Sequence, residues 1–579
     1  MKLELQAGSR TRILATLVLL LMAVFAVRLF YLQIVQHNEY VARAEEEQVK
    51  RLTIPASRGL IYALDGEQPV QLVMNETVYT LFADPQVVTD KDKLIDEVRK
   101  VAGGTMLANA RTQLDRNGSR YEVLARKLSL KQAELLKEKK LAGLGFQAVS
   151  QRVYPEGGLA AQTLGFVNGE GDGQYGIEGK LDERLKGKDG VLQSVTDVSN
   201  VPLTIGNNNI KKPAENGDNV VLSIDRNIQA YTEKALAEGL KRTGAKNGSV
   251  IVMNPQNGQV MAMANLPSYN PAEFNKVTDA SHFNNAAVSI PYEAGSVVKM
   301  FTVAAGIDQG AIRPNSTYVN TDSIKVGDRT IGNATKGQTG TISMQTALDY
   351  SLNTGMVTIL QRLGNGNINK QARDTMYSYF HERFGLGRAT GIEVEGEANG
   401  NVISPDAPGG NAVQYATMSF GQGMNVTMVQ VAAAFCSAIN GGDYYRPTLI
   451  AGVMDDKKTK FTPAEGEKVR SGVISKETSD QVRKMAHDAR NRFYGKDDRK
   501  GFEVGGKTGT SQTLINGRYV DEQTIGTYLG YGGDDTPRYV IMVQVSGKDM
   551  NLQGNKDAMP IFTDISNWMI DYLKLQPKG

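Results

Sequence analysis

Ser296-Val297-Val298-Lys299 sets a hydroxyl and an ammonium three residues apart, opening an apolar run, Met300 to Ile307, that reads as a helix ending before Gly310. At that spacing the two side chains share a helical face and can touch. A serine is a weak nucleophile at neutral pH and needs an adjacent base, and a lysine whose charge is disfavoured by burial or by a second cation can serve. The first turn of a helix adds unpaired backbone N–H groups and a partial positive charge, which favour a developing oxyanion. Alone, such a pair is a weak signal that an exposed Ser and Lys would also give. Two later segments strengthen it. Ser351-Leu352-Asn353 supplies a second hydroxyl and an amide behind the helical run Met344 to Tyr350, and Lys507-Thr508-Gly509-Thr510 supplies a second cation with two hydroxyls behind Gly505-Gly506. Together these make a site with a nucleophile, a base, a proton relay and an anion clamp, needing no metal. Ser-x-x-Lys and Lys-Thr-Gly each occur once; Ser-x-Asn recurs at Ser268-Tyr269-Asn270, but only the later copy lies between the other two motifs.

Residues so far apart in sequence must be brought together by a larger architecture. Asn219 to Ile224 reads as a strand, and Asp225 as the cap of a helix with Ile228, Tyr231, Ala235, Leu236 and Leu240 on one face before Gly244. Ser249–Met253 and Gln259–Ala264 flank the turn Asn254-Pro255-Gln256-Asn257-Gly258, a hairpin signal. Gly526–Tyr531 and Tyr539–Val545 form a second one across Gly532-Gly533-Asp534-Asp535, and a last helix spans about Pro560 to Lys574. Strands at both ends of this region with helices between predict one central antiparallel sheet, closed by the two chain ends around a helical insertion. Upstream the chain is mixed: a strand at Val78–Phe82, exposed Lys- and Glu-rich helices at Lys91–Val101 and Leu130–Lys140, then a glycine-dense stretch from Gly157 to Gly179. The composition breaks at Gly206–Asn209 and Pro213–Gly217 place the main boundary between 36–217 and 218–579.

The 579 residues carry a net charge of +3, one cysteine and four histidines. That is enough chain for about three domains, no concentrated basic surface for nucleic acid, no internal disulfide framework and no zinc-ligand spacing. Cys436, within the apolar run Val431–Ala438, reads as a packing residue. Ile13–Val27 carries no charge and, beyond Arg28, Leu29–Val35 is polar only at Gln33, so the stretch 13–35 can span a bilayer, with Arg28 snorkelling toward an interface. Lys2, Arg10 and Arg12 before this anchor, against Glu39 and Glu45–Glu47 after it, put residues 1–12 in the cytoplasm and the remainder outside. A cleavage site at Ala42-Arg43-Ala44 is the alternative to a retained anchor. Glu178, Asp182 and Glu183 read as turn and surface carboxylates, Glu45–Glu47 as a solvated helix face, Trp568 as core; Gly421-Gln422-Gly423 lacks the Lys-Ser/Thr of a phosphate loop.

The ordered triple of motifs resembles the signature of the penicillin-recognising serine acyltransferases. Nearly the whole chain is similar to the class B penicillin-binding proteins, through Arg58-Gly59, Asp65-Gly66, Tyr154-Pro155-Glu156, Leu164-Gly165-Phe166, Gly176-Ile177-Glu178, Pro267-Ser268-Tyr269 and Ser419-Phe420-Gly421-Gln422-Gly423. Tyr292-Glu293-Ala294-Gly295-Ser296 resembles the septal, division-type branch more than the elongation type. The resemblance implies an α/β protein with an N-terminal transmembrane helix, an elongated mixed α+β module of pedestal or dimerisation type that is not catalytic, and a C-terminal transpeptidase domain. It implies a peptidoglycan D,D-transpeptidase that forms a serine acyl-enzyme from a D-Ala-D-Ala terminus, without a cofactor, and that β-lactams inhibit. In that scheme Ser296 is the nucleophile and Lys299 its base. Ser351 hydrogen-bonds toward Lys299 and Lys507 and relays a proton, and Asn353 orients Lys299 and the substrate amide. Lys507, Thr508, Gly509 and Thr510 hold the terminal carboxylate, and the backbone N–H groups of Ser296 and Thr510 form the oxyanion hole. The implied partners are peptidoglycan stem peptides, a membrane glycosyltransferase and division-complex proteins. A membrane-bound β-lactamase and a β-lactam sensor or divisome scaffold that never cross-links are the competing readings.

Overall fold

The computed structural model describes residues 7–40, 49–195, 210–515 and 518–577. The chain divides into two compact units, Met1–Ser57 with Lys186–Gly217, and Arg58–Leu185 with Asp218–Gly579. The sequence features at Ala42–Ala44, Glu45–Glu47 and Gly206–Asn209 lie outside the described residues.

In the first unit a helix over Ala7–Phe30 continues through a wider turn, Tyr31–Val35. Arg10–Val35, 26 residues, is apolar and long enough to cross a membrane; at 1.5 Å per residue it reaches roughly 39 Å, against about 30 Å of hydrocarbon. Strand Val49–Ile54 pairs antiparallel with Gly190–Val195, which pairs in turn with Ile210–Lys212.

The second unit holds the sheet that the chain ends were expected to build. In chain order its framing elements are helix α1 (Arg226–Thr243), strands β1 (Asn247–Met253) and β2 (Val260–Leu266), and helices α2 (Lys299–Asp308), α3 (Met344–Asp349), α4 (Asn353–Leu363), α5 (Met428–Ile439) and α6 (Lys476–Tyr494). Strands β3 (Glu503–Ile515), β4 (Arg518–Gly533) and β5 (Pro537–Ser546) and helix α7 (Met559–Tyr572) complete it. Asp225 caps α1 by accepting from the N–H groups of Asn227 and Ile228, and Gly244, at φ 73°, ends it. The strand order is β2-β1-β5-β4-β3, so β1 and β5, from opposite ends of the region, lie side by side with Ser249 opposite Gln544. Successive residues of a strand point to opposite faces. Along β5, Val540 and Met542 join the core that includes Phe301 of α2 and Phe435 of α5, while Ile541, Val543 and Val545 join the core built with Leu236 of α1 and Phe562 of α7. Every residue of α5 is buried, Cys436 among them. The sheet leaves β3 as an edge, against which the turn bearing Ser296 packs.

Residues 58–185 of this unit form strands Ile61–Asp65, Gln68–Ala83, Glu122–Leu128 and Leu144–Val153. Strand Asn219–Asp225, buried at every position, runs parallel to Ile61–Asp65 and antiparallel to Ile450–Met454. The helices expected at 91–101 and 130–140 form over Lys91–Ala102 and Leu130–Glu138, but they are not wholly exposed: Leu94, Ile95, Val98 and Ala102 on the first, and Ala133 and Leu136 on the second, are buried. Their charged residues lie on the outer face of an amphipathic pattern. Glu178 also departs from the surface reading. It is fully buried, its oxygens 2.6 Å from Arg58 and 2.7 Å from Arg152, and Asp182 completes the cluster through Arg58 at 2.6 Å. The glycine-dense stretch folds back over Arg152, just upstream of it, and over Arg58, 120 positions from Glu178. Trp568 is half-buried, stacked between Tyr231 and Tyr572 at centroid distances of 4.3 and 4.7 Å.

Candidate active site

Ser296 sits in a single tight helical turn, Gly295–Val298, that runs directly into α2. Three backbones are layered there. A Cβ on Gly421 would lie 2.0 Å from the Gly295 carbonyl oxygen, and one on Gly295, at φ 64°, would lie 2.9 Å from that of Thr510. These glycines are what allow the Ser296 turn to fit between the Ser419–Gly423 segment and the edge of β3. The Gly295 N–H donates to the Gly421 carbonyl (3.1 Å), and the Thr527 hydroxyl donates to the Ala294 carbonyl (3.2 Å).

Lys299 has no exposed surface. Its ammonium donates to the Ser351 carbonyl at 2.5 Å, the Ser351 hydroxyl at 3.2 Å and Asn353 Oδ1 at 2.8 Å. Among the described residues no hydrogen bond reaches the Ser296 hydroxyl, so the Ser-Lys pair read from the helical spacing is adjacent in the fold without being bonded. Burial first, and the nearby Lys507 second, hold the Lys299 ammonium well below the usual lysine range.

Ser351 follows α3 in the left-handed region, at φ 58°, a conformation that costs a non-glycine residue about 1–3 kcal/mol and persists only where its surroundings impose it. The surroundings are α4 and a small hairpin, Ser323–Val326 with Arg329–Gly332. Asn353 Nδ2 donates to the Gly332 carbonyl at 2.9 Å, which turns Oδ1 toward Lys299. Leu352, at the N-terminus of α4, offers no side-chain cap. Buried Asn333 does the capping instead, accepting from the Thr354 N–H at 3.0 Å while its own Nδ2 donates to Asn320 at 3.1 Å. Asn333 has no motif around it in the sequence, and nothing there signals the role.

Lys507 lies on β3, almost wholly buried. Its ammonium donates to the Thr508 carbonyl (3.2 Å) and hydroxyl (3.3 Å), rather than to Ser351. Burial lowers its pKa to about 7 against the opposing pull of Asp349. The Thr510 hydroxyl donates to Gln553 at 3.3 Å and accepts from the Gly554 N–H at 3.2 Å. Gly509 is required by its neighbours, because a Cβ there would meet the Thr527 hydroxyl at 2.2 Å. A cavity of about 420 Å³ has Ser296, Ser351, Asn353, Lys507, Thr508 and Thr510 in its walls, so the three motifs converge on one cleft. Three residues before Ser296, buried Glu293 accepts from the Gly423 N–H and the Tyr519 hydroxyl through one oxygen, and the other has no partner among the described residues.

A serine facing a cleft between two buried lysines, beside a strand edge, defines a serine acyltransferase, and comparison with known sequences places that chemistry in a family. Residues 248–567 match the penicillin binding protein transpeptidase domain, and residues 53–222 match the penicillin-binding protein dimerisation domain. The chain belongs to the penicillin-binding transpeptidases. It is 27% identical to the stage V sporulation protein D of Bacillus subtilis over 95% of this chain and 84% of that protein. It is 26% identical to the peptidoglycan D,D-transpeptidase FtsI of Escherichia coli over 98% and 92%. Its fold is similar to that of penicillin binding protein 2X from Streptococcus thermophilus, with a TM-score of 0.72, 24% identity, and coverage of 91% of this chain and 80% of that one.

Proposed function

We infer that the protein is a membrane-anchored peptidoglycan D,D-transpeptidase, working in septal wall synthesis. The observation that carries this is the buried Lys299 ammonium, fixed by Ser351 and Asn353 on one side of the cleft, with Lys507 and Thr510 on a free strand edge opposite.

In this reading Ser296 Oγ attacks the penultimate D-alanyl carbonyl of a donor stem peptide and Lys299, neutral through burial, takes its proton. The N–H groups of Ser296 and Thr510 receive the oxyanion, each worth roughly 2.7–4 kcal/mol of barrier. Ser351 returns a proton to the leaving amine, D-alanine departs, and an amine from a second stem peptide resolves the ester into the cross-link. Lys507, Thr508 and Thr510 hold the donor's carboxylate, the group that a β-lactam mimics. Residues 218–579 act as the catalytic domain and 36–217 as the non-catalytic pedestal, an assignment supported by the two family matches. The positive residues Arg10 and Arg12, at the N-terminal end of the apolar helix, support a cytoplasmic N-terminus and an external catalytic domain. The relative FtsI and the Tyr292–Ser296 segment support the septal role; a membrane glycosyltransferase is the partner that the family resemblance implies.

Mass spectrometry after penicillin treatment tests the site: one adduct, lost in Ser296→Ala, is expected. Incubation with lipid-linked peptidoglycan tests the reaction. Dimeric stem peptides are expected; penicillin labelling without them marks a sensor or scaffold, and rapid loss of the label marks a β-lactamase.

A further inference from the structure

The ends of α3 and α6 also line the cavity, through Asp349, Tyr350, Phe493 and Tyr494, and Asp349 is near enough to Lys507 to pull on its charge. Asp349 is the only carboxylate in that lining among the described residues, its side chain 4% exposed. Gln345 (2.7 Å) and Arg492 (3.3 Å) each engage one of its oxygens, which leaves lone-pair directions open on both. Phe493, by contrast, is 40% exposed, a large apolar ring kept at the surface. It meets Tyr350 edge-on, with centroids 5.3 Å apart. The guanidinium of Arg492 lies 5.1 Å from the centre of Tyr350 and 5.8 Å from that of Phe493. This corner therefore already holds one cation, by aromatic faces and a carboxylate together.

The chemistry of the proposed reaction says what else belongs there. If Lys507, Thr508 and Thr510 hold the donor's carboxylate, D-alanine leaves the acyl carbon from the Lys507 end. Aminolysis is acylation run backward with a different amine, so the incoming nitrogen must approach along the line the leaving one took. Its contacts are then with the part of the cavity wall near Lys507, where Asp349 lies.

We propose that Asp349, Tyr350 and Phe493 form the acceptor subsite, which receives the primary ammonium of the acceptor stem peptide between a carboxylate and two aromatic rings. The proposal rests on the transpeptidase reading. The arriving ammonium takes the place of Arg492, whose side chain is 48% exposed and can turn to solvent; Asp349, released from that pair, then offsets the repulsion from Lys507. After the ammonium releases one proton to solvent, the neutral amine attacks the acyl carbon. The C–N bond forms, the C–Oγ bond breaks, and the second amine proton passes through Ser351 to Ser296 Oγ, restoring the free hydroxyl.

The test uses the full-length protein in detergent, a thioester donor that acylates Ser296, and D-lysine amide as the probe acceptor. Aminolysed and hydrolysed products are counted by chromatography. Their ratio is a property of each acyl-enzyme molecule, so it does not depend on how much protein is folded or acylated. Phe493→Ala and Asp349→Asn are each expected to lower the ratio by about fivefold to tenfold at fixed acceptor, in line with loss of one cation contact. Phe493→Tyr, which keeps the ring, is expected to preserve it. A ratio within twofold of wild type in both of the first two variants overturns the subsite, whatever happens to the acylation rate. A wild-type protein that forms no acyl-enzyme from the thioester overturns the transpeptidase reading itself, and the subsite with it.

Discussion

The two site lysines are held in opposite roles by similar burial. In the proposed mechanism Lys299 must be neutral to take a proton from Ser296, and Lys507 must be charged to hold a carboxylate. On that mechanism deprotonation of Lys299 as pH rises should speed acylation, and loss of the Lys507 proton, whose pKa burial lowers to about 7, should slow it. Asp349 is the carboxylate whose pull keeps Lys507 from falling further. The rate constant for acylation by a fluorescent penicillin should therefore pass through a maximum with pH. In Lys507→Arg, whose guanidinium stays charged throughout, the alkaline fall should vanish while the acid limb remains. A flat profile between about pH 6 and 9 in the wild type would show that neither lysine titrates in the reaction. The residue types of the cleft were legible because three motifs in fixed order are rare together. What spacing does not encode is direction: Ser296 and Lys299 sit three apart on one helix, yet the ammonium points to Ser351 and Asn353.

At the scale of elements, α4 begins with the asparagine that orients Lys299, and its first free N–H is satisfied by Asn333, from a different part of the chain. Asn333→Ala should cost about 1 kcal/mol of stability, the usual worth of a cap. It should also slow acylation roughly tenfold, equivalent to 1.4 kcal/mol of barrier, as Asn353 loses its fixed orientation; a thermal melt and the penicillin rate measure the two. Gly421→Ala should be harsher, because its Cβ meets the Gly295 backbone and the residue sits at φ 87°. Acylation should fall at least a hundredfold in a protein that still melts cooperatively. The sheet hairpins and their flanking helices were legible, since turn residues and periodicity are local signals. Asn333 was not, because a cap supplied from 21 residues away leaves no pattern near the helix it serves. The buried face of helix Lys91–Ala102 was hidden for a simpler reason: its charged residues outnumber the four that pack.

For the whole molecule, strand Asn219–Asp225 ties the catalytic region to residues upstream of the compositional break. Ile61, Leu72, Tyr154 and Leu185 share one core with Val220, Leu222 and Ile224. A chain begun at Asp218 loses the strand beside Asn219–Asp225 and should be insoluble, whereas one lacking only residues 1–40 should leave the membrane fraction and still label with penicillin; fractionation and in-gel fluorescence distinguish these outcomes. The break in composition was readable, but a parallel pairing across about 160 positions of sequence, such as Val220 with Ile61, carries no local trace, as is general for non-local strands. The order of the central sheet has one more consequence, a matter of timing. Lys507, Thr510 and three of the five strands come from residues 503–546, so a nascent polypeptide carries Ser296 and Lys299 long before Lys507 and Thr510 have been synthesised. Such a half-made molecule is blind to antibiotic, and only the finished chain becomes a target.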